Sequence, residues 1–108
     1  MPNLENILSE IKDESIATAK SELLDFYNQA RSEQIGFAQE TAEKAKKWLE
    51  MRVNGEINNE EFLALLDARK RVVQQNLNTL EIQSRARVEK ILFGIIDTIT
   101  DKILDKIL

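Results

Sequence analysis

Three aspartates, Asp97, Asp101 and Asp105, recur every fourth residue near the C-terminus. On a helix that spacing stacks them along one face. Clustered carboxylate oxygens are what a hard divalent cation requires. Lys102 and Lys106 stand beside them, so a solvated, self-neutralised face is expected rather than a metal site. Glu60 and Glu61 form a second acidic pair, better suited to the first turn of a helix than to a metal. A basic stretch, Arg69, Lys70, Arg71, Arg85, Arg87 and Lys90, carries the charge a phosphate would need. It is expected to meet acids of the first half instead, with Arg87 across from Asp25 and Glu22.

The residue types that would extend this chemistry are missing. The chain has no His and no Cys, so it lacks the commonest general base, the thiol nucleophile and the usual zinc ligands. Without His there is no Glu-x-x-His pair, the ligand pattern of carboxylate di-iron bundles. Tyr27, Trp48 and the four Phe fall mostly at helical spacing, which places them in a core and not on a stacking platform. The expectation is a non-enzymatic protein with no catalytic residues, no cofactor and no metal.

The elements that must position these residues are helices. The 108 residues make one domain, residues 1–108, and 31% of them are charged. Such a mixture of Ala, Glu, Lys, Leu and Arg is the composition of long helices and coiled coils. Pro2 and three Gly leave few places to break a helix. Apolar or small residues run Leu4, Leu8, Ile11, Ser15, Ala19, Leu23, Phe26/Tyr27, Ala30, then Phe37/Ala38, Ala45 and Trp48, a helical period throughout. Gln34 and Thr41 interrupt that seam. A second seam runs from Phe62 through Leu66, Val73, Leu77, Leu80, Val88, Ile91 and Ile95 to Ile107, with Arg69 and Asn76 as its polar middle.

The one clear break is Val53 to Phe62. Asn54 and Gly55 tolerate the left-handed conformation that ends helices. Asn58 suits an N-cap, and Glu61 can reach back to its amide to complete a capping box. Ile57 and Phe62 occupy the two places of a hydrophobic staple. The pattern Gly55-x-Ile57-x-x-Glu60-Glu61-Phe62 resembles the turn of a short helical hairpin module appended to many bacterial proteins, and no function follows from that likeness.

These signals predict an all-α, long antiparallel two-helix hairpin: helix over about 3–53, turn at 54–57, helix over about 58–107. Gly36 is read as lying within a continuous helix, and whether Gly94 breaks the second helix is left open. Each helix would then be roughly 75 Å long at about 1.5 Å per residue. Two helices bury only one stripe each, so association into a four-helix or larger bundle is expected. The interface is expected where apolar residues crowd, at Leu4, Ile7, Leu8 and Ile11 with Leu92, Ile95, Ile96, Ile99, Ile103, Leu104 and Ile107.

Partners follow from charge and patterning. A sequence pI near 4.9 disfavours a general nucleic-acid binder. Residues 1–40 hold three basic and eight acidic residues, and residues 41–90 ten basic and eight acidic. A homo-oligomer is expected, with another helical protein as a further partner. The alternative is a membrane-surface protein that lays segment 91–108 on lipid, since its apolar residues cover more than half the helix circumference. Neither a secretory leader nor an apolar run long enough to cross a bilayer is read, so the expected location is cytoplasmic.

Overall fold

The computed structural model describes residues 3–107, and those residues form helices and turns with no strand. Asn3 opens α1 (Leu4–Ser9) by accepting the Asn6 amide at 2.8 Å. Asp13 then caps a 3₁₀ turn at Glu14–Ile16, taking the Ser15 amide at 2.9 Å, and the chain continues into α2 (Ala17–Ser32). Next come α3 (Gly36–Val53), α4 (Asn59–Leu77) and α5 (Ile82–Thr98). Beyond α5 the backbone loosens into a π-helical turn at Ile99–Ile103 and a 3₁₀ turn at Leu104–Lys106.

Continuous helices over 3–53 and 58–107 are therefore corrected. The first is divided at 10–13 and 33–35, the second at 78–81. Gly36 begins a helix instead of lying inside one. The longest dimension is 40 Å, about half the expected hairpin. The physical reason is visible at the breaks. Gln39 Nε2 donates to the Glu33 carbonyl at 2.6 Å, and Arg85 donates from Nε to the Leu77 carbonyl and from Nη2 to the Leu80 carbonyl, each at 3.1 Å. Side chains thus satisfy the backbone groups that a broken helix frees. In return, the apolar seams of all pieces fold onto each other.

The four longer helices pack each on the next, and α5 closes back on α2 in the most extensive contact of the fold. Contacts at Arg52–Asn59 and Thr41–Arg69 run α3 and α4 antiparallel about the 54–58 turn. At that turn Gly55 takes φ +78°, a conformation that costs other residues strain. Asn58 and Glu61 form the reciprocal capping box, at 2.8 and 3.0 Å. Phe62 is fully buried, and Ile57 packs half-buried against the core. Gly94 lies inside α5, where a Cβ would come within 2.7 Å of the Phe26 ring of α2. Its lack of a side chain is what lets α5 and Phe26 approach so closely.

Candidate functional site

Every residue expected at an oligomer interface lies in the interior of this one chain. Leu4, Ile7, Leu8 and Ile11 and, from the other end, Leu92, Ile95, Ile96, Ile99, Ile103, Leu104 and Ile107 are each at most 7% exposed. They form one continuous core with Leu23, Leu49, Phe62, Leu66, Val73 and Val88. In a two-helix hairpin, where each helix buries one stripe, Leu92, Ile96 and Leu104 would lie uncovered. Breaking the helices supplies the missing layers from the same chain, so these residues have no free face to offer a second copy. The same burial covers the isoleucines and leucines of segment 91–107 that would meet lipid and leaves Phe93 half-buried, while Leu108 lies outside the described residues. No helix among the described residues is long and apolar enough to cross a membrane.

The charged candidates are scattered by the fold. Asp97 is held by Lys70 at 3.1 Å, with the Lys70 ammonium also 5.2 Å from the Phe93 ring centre. Asp101 and Asp105 are exposed, and no cluster of metal-ligating side chains converges among the described residues. Glu60 and Glu61 stand in the first turn of α4, with Glu61 engaged in the cap.

The basic stretch divides into separate tasks. Arg87 makes a bidentate pair with Glu33 at 2.9 and 3.0 Å, which raises the guanidinium above its ordinary pKa. The expected pairing with Asp25 and Glu22 is corrected, and Glu22 pairs with Lys102 at 3.1 Å instead. The breaks at 33–35 and 78–81 let α2 meet α5 in a register that a single hairpin turn would not set. Arg85 caps α4. Arg69 enters the core, where Nε donates to Thr41 Oγ1 at 2.9 Å and Nη2 to the Phe37 carbonyl at 3.3 Å. The polar middles of the two seams, Thr41 and Arg69, are thus one buried pair.

One polar network was not foreseen. The Tyr27 hydroxyl donates to Glu43 Oε1 at 2.8 Å and accepts from Arg31 Nη1 at 3.3 Å, while Lys46 reaches the same carboxylate at 3.3 Å. Burial pushes the Glu43 carboxyl up, but the hydrogen bonds from Tyr27 and Lys46 outweigh it and hold its pKa below the ordinary value. The hydrogen bond to Tyr27 and the nearby Glu43 carboxylate raise Arg31 above its ordinary pKa. Tyr27 and Glu43 sit on different helices sixteen residues apart, so only the α2–α3 packing brings them together. The arrangement ties two helices and holds its carboxylate charged, which suits an anchor and not a proton donor.

A groove of about 440 Å³ lies between the 10–13 loop and the C-terminal turn. Its rim mixes Glu10, Asp13 and Asp105 with Lys12 and Lys106. Asp13 is kept below its ordinary pKa by hydrogen bonds from Ser15. What remains unabsorbed by the core is apolar surface. Val72 on α4 is 38% exposed and Ile82 at the start of α5 is 80% exposed. Comparison with protein-family models, with curated proteins and with solved structures finds no match.

Proposed function

We propose that this chain is a cytoplasmic, non-enzymatic helical module that works by self-association, as an assembly element. The observation that carries the reading is the exposure of Val72 and Ile82 on a fold whose core is otherwise closed. Transferring apolar surface out of water is favourable at roughly 25 cal/mol per Å². Apolar side chains left at the surface gain burial when a helical partner covers them. The contact must use such surface residues, because the terminal apolar residues are committed to the core.

Light scattering across a protein concentration series tests the reading. Mass rising above that of one chain with concentration supports it, and a single-chain mass at every concentration overturns it.

A second reading rests on the C-terminal segment. Regular α-helix ends at Thr98, and the following turns are held at their end by Arg52, whose Nη2 donates to the Ile107 carbonyl at 3.1 Å. A segment so held could leave the core and lay its isoleucines on lipid. Flotation with vesicles of anionic and neutral lipid tests this, and protein that stays at the bottom of the gradient with both overturns it.

A further inference from the structure

The geometry points to residues 104–107 as a strap that opens as a unit while the helices stay folded, with Arg52 as its latch. The device goes beyond both functional readings and stands whether or not this chain meets lipid or a second copy. Regular α-helix ends at Thr98. The π-helical turn at Ile99–Ile103 closes with a bond from the Leu104 amide to the Ile99 carbonyl. The 3₁₀ turn Leu104–Lys106 follows, and its closing bond, from the Ile107 amide to the Leu104 carbonyl, is long at 3.4 Å. The strap is therefore not an extension of the α5 hydrogen-bond ladder. Ile99 and Ile103 are fully buried, so the hinge falls after them. Beyond it, Leu104 and Ile107 are the two apolar anchors, while Asp105 and Lys106 are exposed.

Among the described residues, one side-chain hydrogen bond holds residues 104–107: Arg52 Nη2 donates to the Ile107 carbonyl at 3.1 Å. Neither Asp105 nor Lys106 makes an ion pair among those residues. Lys106 attracts Asp13 across the groove without pairing with it. Arg52 can act as a latch because its own position is fixed. It stands in the last turn of α3, and its Nε donates to Asn59 Oδ1 at 2.6 Å. The two edges of one rigid guanidinium thus tie the strap to the start of α4. On its other flank the strap borders open space, the groove that it forms with Glu10, Ile11, Lys12, Asp13 and Val53. A segment with two apolar anchors, one latch and an open flank belongs to the low-stability end of a fold, which opens without global unfolding. Opening removes one wall of that groove and bares more of Ile11 and Val53.

The test is native-state hydrogen exchange on the full chain, followed by NMR across a series of low urea concentrations, with circular dichroism on every variant. In the wild type the Leu104 and Ile107 amides should exchange faster than amides in the middle of α2 and α5. Their rates should depend little on urea, because a local opening exposes little surface. Arg52→Gln should speed exchange at Leu104 and Ile107 about ten-fold or more, the factor that a hydrogen bond from a charged donor is worth. The middle of α2 and α5 should keep its wild-type rates. Arg52→Lys keeps the charge but cannot span Asn59 and Ile107 with a fork, so it should speed the same two amides. Wild-type Leu104 and Ile107 amides that exchange with the core, at the same rate and urea dependence, overturn the strap. Exchange at those amides unchanged by R52Q and R52K overturns Arg52 as the latch. A uniform rise across all helices in both variants also overturns it, because Arg52 would then support the fold as a whole.

Discussion

Arg69 Nε donates to Thr41 Oγ1 over 2.9 Å inside the core, joining one polar interruption of each apolar seam. Thr41 is fully buried, and its hydroxyl donates in turn to the Phe37 carbonyl at 2.7 Å. The guanidinium is completed by the Phe37 carbonyl and by Glu40 at 3.6 Å. Thr41→Val should cost about 1–3 kcal/mol, because it leaves a buried Arg69 donor without its acceptor. Arg69→Met should cost less, since Thr41 keeps its bond to Phe37. The double variant T41V/R69M should lose less than the sum of the two, a coupling readable by urea unfolding.

The α4 cap makes a local prediction. Asn58→Ala removes the acceptor for the Glu61 amide and should lower stability by about 1 kcal/mol, or about 4–8 °C in Tm for a domain of this size. Asn59→Ala acts elsewhere, because Asn59 Oδ1 accepts from Arg52 Nε at 2.6 Å and so helps to place the residue that holds Ile107. Hydrogen exchange should therefore rise in residues 99–107 for N59A and in the first turn of α4 for N58A. The same pattern in both variants would contradict this division.

Gly94 and Phe26 set the α2–α5 distance. Gly94→Val should destabilise by about 1–3 kcal/mol, as overpacked cores do, since even a Cβ lies within 2.7 Å of the ring. Trimming the ring in F26A/G94V should recover part of that loss relative to F26A alone. Thermal unfolding of the four proteins measures it, and full additivity would show that the two side chains do not compete for space.

Ile96 separates core from interface. It is 2% exposed within one chain, so Ile96→Asp buries a charge with no partner and should unfold the protein. Helicity by circular dichroism should be lost at every concentration. Retained helicity with a lowered mass would instead return Ile96 to an interface.

Glu43 makes the pH prediction. Its folded pKa lies below the ordinary 4.5 because Tyr27 and Lys46 outweigh burial. A carboxyl depressed in the folded state contributes stability that is complete above its unfolded value and drains as pH falls through the folded one. Urea unfolding of the wild type should therefore weaken below about pH 4.5. Glu43→Gln should be less stable than the wild type at pH 7, and the gap should narrow as pH falls through that window.

Local signals along the chain determined that it is helical and where the 54–58 turn and its cap fall. The Gly55 turn, the Asn58–Glu61 box and the Asn3 cap are legible because each involves residues within a few positions of one another, where spacing alone sets the contact. The apolar seams likewise named the buried residues, since helical period fixes which side chains share a face. What those faces meet was decided by tertiary structure. The same isoleucines satisfy a second copy or a second layer of their own chain equally well, and periodicity does not distinguish the two. The break at 33–35 coincides with the polar seam position Gln34, and the break at 78–81 follows Asn76 by two residues, but the meaning of both depended on Gln39 and Arg85 reaching back to freed carbonyls. Tyr27–Glu43 and Arg87–Glu33 depend on helices brought together from distant parts of the chain. Which residues are apolar is written locally; which of them remain uncovered is a property of the whole packing, because burial depends on every layer at once.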